Sequence, residues 1–245
     1  MRKVFVCCLA ANVALGAQNV AAQSVQPMTT ERPSFSTTPY VLSPGVWQFE
    51  SGYLYTNDSD GADFELHTLP QVLMRYGTSD GIELQFGWPG LSWRDNDNGS
   101  DSGMNDASIR VKIQVADENA ATPMAFFAGL TLPVGDDEFS SDSYDPSIGA
   151  AWAHKRFFGT VLIAKSDDDY RFENGLAMSF ALKNNASAYA EWQATVPEGG
   201  GSVHNLNSGI LWLRRANMQL DLNASLGLND RAADFSIGAG FAWRF

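Results

Sequence analysis

The sequence predicts an all-β fold, a transmembrane antiparallel β-barrel of about twelve strands with both termini at the periplasmic end. Three observations predict it. The last twelve residues alternate: Phe235, Ile237, Ala239, Phe241, Trp243 and Phe245 share one parity, while Asp234, Ser236, Gly238, Gly240, Ala242 and Arg244 share the other. Successive side chains of a strand point to opposite faces, so this segment has one aromatic, apolar face and one small or polar face. The same alternation recurs along most of the chain, and the connections between alternating segments are long and short by turns. Finally, the N-terminus reads as an export leader.

Arg2 and Lys3 precede an apolar stretch from Val4 to Ala17, and Val20-Ala21-Ala22 offers small residues before Gln23. This is the layout of a cleaved signal peptide over 1–22, since the apolar run is shorter than the ~18 residues a spanning helix needs. Residues 23–45 show no periodicity and are expected to form a periplasmic or lumenal segment; the barrel proper is expected over 46–245. Within it, Trp47, Phe49, Tyr53 and Tyr55 oppose Gln48, Glu50 and Gly52. Phe64, Leu66, Val72, Met74 and Tyr76 oppose Glu65, His67, Gln71 and Arg75. Ile82, Leu84, Phe86 and Trp88 oppose Glu83, Gln85 and Gly87. Ala107, Ile109, Val111, Ile113 and Val115 oppose Asp106, Ser108, Arg110, Lys112 and Gln114. Further strands are expected at 124–132, 147–157, 160–166, 171–183, 187–196, 203–214 and 218–228, before the terminal one. The faces of 147–157, 160–166, 187–196 and 203–214 stay undecided from pattern alone.

The connections at 57–63, 89–105, 133–146, 166–170, 197–202 and 229–233 are read as long, and those at 77–81, 117–123, 157–159, 184–186 and 215–217 as short. Transmembrane barrels have long external loops and short periplasmic turns. Charge follows the same division: Asp58, Asp60, Asp63, Asp95, Asp97, Asp101, Asp136, Asp137, Glu138, Asp142, Asp145 and Asp167 to Asp169 lie in long connections. Arg75, Lys155, Arg156, Lys183, Arg214 and Arg215 lie beside short ones.

Composition removes several function classes. The formal charge is -12, two units more acidic once Arg2 and Lys3 leave, which argues against nucleic acid as a partner. Mean hydropathy is -0.18, and 22 glycines with 12% aromatics suit a pleated wall with interfacial girdles. Both cysteines, Cys7 and Cys8, lie in the leader, so no disulfide framework, thiol nucleophile or thiolate metal site is expected in the mature chain. His67, His154 and His204 fall in no nucleophile motif. Asp95-Asn96-Asp97-Asn98-Gly99 has oxygen ligands but lacks the closing glutamate of a calcium loop. No catalytic residue, cofactor or metal is assigned.

A charge facing lipid near the midplane costs about 2–4 kcal/mol for Arg or Lys, so the polar parity should face the lumen. The lumen-lining candidates are Glu50, Glu65, Glu83, Asp106, Arg110, Lys112, Arg171, Glu173, Glu191 and Asp221. Two readings compete for them: side chains that fill a narrow barrel by pairing, or a charged path that selects solutes. Barrels of about eight strands are filled and those near sixteen hold open channels, so a narrow, partly obstructed pore is the expectation.

Several spaced motifs resemble one family. Glu31-Arg32-Pro33-Ser34-Phe35-Ser36-Thr37 leads to Ser43-Pro44-Gly45-Val46-Trp47-Gln48-Phe49-Glu50-Ser51-Gly52-Tyr53. Arg75-Tyr76-Gly77 with Glu83-Leu84, Asn105-Asp106-Ala107-Ser108 with Lys112, Leu130-Thr131-Leu132-Pro133-Val134-Gly135 and Gln219-Leu220-Asp221-Leu222 follow. Together they are similar to the outer-membrane transporters of the meta-cleavage pathway of phenol degradation. That resemblance implies a cell outer membrane location of Gram-negative type. It also implies a channel or transporter for passive uptake of small molecules, aromatic or hydrophobic compounds among them. The alternative is a closed barrel with a structural or surface-interaction role and no flux. Expected partners are outer-membrane lipid and lipopolysaccharide, the assembly machinery and a small-molecule solute. The closing Phe245 resembles the terminal signal that this machinery reads. Losing one interfacial ring costs only about 1.5–3 kcal/mol by area, too little to unfold a closed barrel. Deleting Phe245 should therefore deplete the protein from the outer membrane of cells while leaving it able to fold into micelles; normal membrane levels would reject the assembly role.

Overall fold

The computed structural model describes residues 28–59, 63–166 and 169–245, with nothing said of the Ser166 side chain. The expected leader over 1–22, and Asp60, Asp167 and Asp168, lie outside the described residues. In chain order the strands are β1 (Trp47–Asp58), β2 (Phe64–Ser79), β3 (Ile82–Trp88), β4 (Leu91–Asn96), β5 (Gly99–Met104), β6 (Ala107–Ala116), β7 (Met124–Leu132), β8 (Asp145–His154), β9 (Phe157–Ser166), β10 (Asp169–Ala181), β11 (Ala186–Pro197), β12 (Val203–Arg215), β13 (Met218–Gly227) and β14 (Phe235–Arg244). Neighbours pair antiparallel around a ring that closes when β1 meets both β14 and β2. Twelve of these strands form the closed wall; β4 and β5 form a hairpin that extends from it. Closure leaves the twelve-strand wall itself without an unpaired edge among the described residues, the condition for backbone to sit in lipid.

The β4–β5 hairpin occupies what pattern reading leaves as the loop 89–105. β2 pairs with β3 over Val72–Ser79 and then with β4 over Phe64–Leu69, so β3 and β4 form one long strand bent at Pro89-Gly90. Gly90 has φ +94, and a Cβ there would lie 2.4 Å from the Pro70 carbonyl, so only glycine turns this corner. β5 runs into β6 through a matching bend: Asn105 donates through its backbone N–H (3.0 Å) and side-chain amide (2.8 Å) to the Gly90 carbonyl, and the Trp88 indole donates to the Asn105 carbonyl at 3.1 Å.

The wall obeys the expected alternation apart from register shifts at the strand ends beside three short turns and one break in the middle of β2. On the β1–β2 pair, Gly52 meets Gln71 but Leu54 meets Thr68, so β2 carries one extra residue at Leu69-Pro70. A bulge of one residue exchanges the faces beyond it. Gln71, Leu73 and Arg75 point inward, whereas Leu66 and Thr68 replace Glu65 and His67 on the inner face. Glu65 therefore stands on the outer face at the long-loop end, a correction to its expected lumen position. Proline lacks the N–H a ladder needs, which suits Pro70 to a bulge.

The outer face is apolar. Leu84, Phe86, Ile109, Val111, Ile163, Ile210, Leu222 and Ile237 are all exposed, at 39–62%, as a lipid-facing wall requires. Aromatic rings cluster at both rims: Trp47 stacks on Tyr76 at 4.4 Å and Trp243 meets Phe245 edge-on at one end, and Tyr55 packs on Phe235 and His67 at the other. Trp47 and Phe245 exchange backbone hydrogen bonds at the end that holds the short turns.

Loop lengths keep this asymmetry less strictly than expected. β9 and β10 run on until only 167–168 separate them, whereas 117–123 forms a longer turn at the opposite end. Acidic residues are not confined to one end either, since Asp80, Asp117 and Glu118 sit among the short turns.

Asp106 precedes β6 and does not line the lumen. Its carboxylate accepts from the Val134, Gly135 and Ser141 backbone N–H groups at 2.9–3.0 Å and from the Ser140 hydroxyl at 2.8 Å. It thereby folds the β7–β8 loop, whose 3₁₀ turn (Asp137–Phe139) packs on β5. Burial alone would raise this carboxyl; the four hydrogen bonds outweigh it and hold the group below the usual carboxylate range. A depressed folded value means stability that is present above the unfolded pKa of about 3.9 and lost as pH falls through the folded one. Protection of amides 134–141 from hydrogen exchange should accordingly persist at pH 5 and vanish in stronger acid. Asp106→Ala should abolish it at every pH, a local loss of about 1–3 kcal/mol, with barrel migration on gels unchanged.

Candidate functional site: the occupied lumen

Residues 28–45 run along the inner wall, held by carboxylates that the strands project inward. Glu50 of β1 accepts the backbone N–H groups of Glu31 (3.0 Å) and Arg32 (2.9 Å). Glu191 of β11 accepts those of Phe35 (2.8 Å) and Ser36 (2.7 Å). Glu83 of β3 accepts that of Leu42 at 2.8 Å, and the Thr160 hydroxyl of β9 accepts that of Thr37 at 2.9 Å. A segment with no secondary structure carries unpaired N–H groups, and burying one unpaired is costly. The wall supplies the acceptors that a helix or sheet would otherwise supply.

The carboxylates are neutralised in a buried cluster. Arg75 of β2 grips Glu83 with two parallel hydrogen bonds, Nε to Oε1 at 2.8 Å and Nη2 to Oε2 at 2.9 Å. It also reaches Glu50 at 3.2 Å and Glu31 at 3.4 Å. Lys112 of β6 pairs with Glu31 and donates to the Thr38 carbonyl at 3.0 Å. Arg75, Lys112, Glu50 and Glu83 are wholly inaccessible to solvent. Two cations thus bridge three carboxylates, one of which, Glu31, belongs to the segment itself. Gln48 and Gln85 complete the shell by donating to Glu50 and Glu83.

Glycines on the inner face make the room. Gly52 and Gly240 are cross-strand partners, and a Cβ on either would lie 2.3–2.6 Å from the Arg32 guanidinium. Arg32 lies flat on them and donates to Gln71 (2.7 Å) and Asp221 (3.2 Å). A Cβ on Gly77 would meet the Ser43 carbonyl at 2.1 Å, and one on Gly175 the Ser36 hydroxyl at 2.3 Å. Strand glycines of this kind mark close approach of another backbone.

Two cavities flank the segment. At the long-loop end, about 550 Å³ is lined by Gln71, Gln193, Asn205, Asn207, Asn223 and Ser225 above Arg32 to Phe35. At the short-turn end, about 260 Å³ lies beside Lys155, Arg156, Phe158, Tyr189 and Leu211. Arg32, Pro33 and Ser34 border both, so this stretch is the septum between them.

Of the expected lumen residues, Glu50, Glu83, Lys112, Glu191 and Asp221 enter this network. Arg110 points inward with its guanidinium 4.8 Å from the Phe127 ring centre, and Arg171 pairs with Glu173 nearer the long-loop end. Glu65 and Asp106 lie elsewhere, as described above. Pattern reading missed Arg75 as the hub, although its parity with Gln71 placed it opposite the apolar face. It also missed Glu31 and Arg32, which carry no periodicity. The histidines make local contacts: His67 with the Tyr53 hydroxyl at 2.7 Å, His154 with the Ala121 carbonyl at 2.9 Å, His204 with the Ser202 hydroxyl at 2.9 Å. The His204 ring also stacks on Trp192, with centroids 5.7 Å apart. Asn96 to Gly99 forms the tip of the β4–β5 hairpin.

Removing one member of a buried ion cluster leaves the others uncompensated, at about 3–5 kcal/mol. Arg75→Ala should therefore lower the denaturant midpoint of the micelle-folded barrel strongly, whereas Arg171→Ala, with a partly exposed pair, should shift it little. Equal effects would contradict the hub role of Arg75.

Comparison with known proteins adds the following. No curated protein sequence matches the chain. An outer membrane channel from Pseudomonas putida F1 superposes with TM-score 0.60 at 15% identity, over 84% of this chain and 97% of that one. The KdgM porin (TM-score 0.51, 10% identity, 80% and 99% of the two chains) and the NanC porin (0.51, 9%, 80% and 98%) are similar in fold. Residues 30–245 match the family described as "Putative MetA-pathway of phenol degradation". The match begins at the lumenal segment and ends at the closing strand, and the chain belongs to that family.

Proposed function

We propose that the protein is an outer-membrane channel for passive uptake of small molecules, with both termini periplasmic and the long loops outside. The observation that carries this reading is the pair of lumen cavities, one at each end, which share Arg32-Pro33-Ser34 as a common border. A wall protein needs no such spaces. The similar folds include an outer membrane channel and porins, and the family description, through phenol degradation, makes aromatic compounds one solute class to consider.

The second reading, a closed barrel, draws on the density of bonds that fix residues 28–45 across the lumen. Conductance separates the two. In planar bilayers the full mature protein should give small current steps. Glu191→Ala, which frees Phe35 and Ser36 from their shared acceptor, should raise the current or the open fraction several-fold. Silence from both proteins would support the closed barrel.

Ion preference follows from charge at the long-loop end. Asp97 beside Asp63 pushes the Asp63 carboxyl above its ordinary range, a sign of crowded negative charge. Such a mouth concentrates cations. Reversal potentials under a salt gradient should show cation preference that fades as salt rises from 0.1 M to 1 M, where the Debye length falls from about 10 Å to 3 Å. Anion preference would mean that Arg110 and Arg171 outweigh the loops.

A further inference from the structure

The cavity at the long-loop end has a specific chemistry. Gln71, Gln193, Asn205, Asn207, Asn223 and Ser225 contribute amides and a hydroxyl, from strands on opposite sides of β1 and β14. The charged groups at its floor are already engaged: Glu31 by Lys112 and Arg75, Arg32 by Asp221. Among the described residues, the side chains of Asn205, Asn223 and Ser225 make no hydrogen bond at all, so their donors and acceptors face the cavity unspent. Phe35 brings an aromatic ring to the lining.

We propose that this vestibule is a binding site for a neutral, polyhydroxylated solute of mono- or disaccharide size, resting on the channel reading above. An amide presents a donor and an acceptor side by side, and a ring of amides matches adjacent hydroxyls that each donate and accept. The volume, about 550 Å³, falls within the roughly 300–1,000 Å³ usual for ligand sites. An aromatic ring beside such groups accommodates the C–H face of a sugar. An anionic solute would find only Arg32, already paired with Asp221, and would first cross the acidic loops. A purely apolar solute would leave the amides buried and unpaired, which is costly.

The test uses the full mature protein in detergent micelles, titrated calorimetrically with sucrose, galacturonate and phenol. Saturable binding of sucrose is expected, with galacturonate and phenol at least tenfold weaker. Asn205→Leu with Asn223→Leu should weaken sucrose at least tenfold, and the milder Ser225→Ala should weaken it measurably while every variant keeps heat-modifiable migration. Tighter binding of phenol or galacturonate, no saturable sucrose binding, or binding indifferent to these substitutions would each overturn the proposal. Sugar flux into proteoliposomes distinguishes the two layers of the argument. Binding without flux sinks the channel reading and keeps the site; flux without saturable, variant-sensitive binding does the reverse.

Discussion

The Arg75 guanidinium holds this structure together from inside. It is shared by Glu83, Glu50 and Glu31, which belong to β3, β1 and the lumenal segment, while Arg75 itself comes from β2. A charge with no solvent access survives only with partners that satisfy it, so each group here constrains the others. Once Arg75 is fixed by its two parallel bonds to Glu83, Glu50 is held with its second oxygen free to accept the Glu31 and Arg32 amides. Those bonds set where residues 28–45 enter the barrel. Arg32 then falls on the Gly52–Gly240 pair, and the septum between the two cavities follows from that placement.

The same network resolves an apparent conflict between wall and lumen. A barrel of twelve strands is too wide for opposing wall side chains alone to fill and narrow enough to be filled with help. The lumenal segment supplies that help, but a bare extended chain brings unpaired amides with it. Inward carboxylates answer them in pairs, at Glu50 and at Glu191, and inward glycines give the chain its track. Lumen charge in this protein therefore serves first to position a polypeptide. Solute chemistry is left to the neutral amides above the septum.

Much of the wall was legible in the sequence because strand parity runs unbroken wherever no bulge intervenes. The β14 alternation from Phe235 to Phe245 and the β6 alternation from Ala107 to Val115 appear in the structure with the expected faces. Glu65 was misplaced for the complementary reason: one extra residue at Leu69-Pro70 exchanges faces, and pattern alone does not count residues across a partner strand. Asp106 shares the parity of β6 but precedes its first pairing, so a loop claims its carboxylate. Glu31 and Arg32 could not be placed at all, because an irregular segment carries no period. The seat of Arg32 on Gly52 and Gly240 becomes visible only when the β1–β14 register is known.

The central claim is that residues 28–45 lie inside the wall against β9, β11 and β1. Thr37→Cys with Thr160→Cys tests it most directly, since the Thr37 amide bonds the Thr160 hydroxyl at 2.9 Å and both native cysteines precede residue 9. In native outer membranes, a short bifunctional thiol reagent should join the two positions within one chain, giving a species of altered migration that neither single variant gives. Absence of that species, with the thiol introduced by Thr37→Cys open to a bulky impermeant reagent, would place the segment outside the lumen and contradict the account.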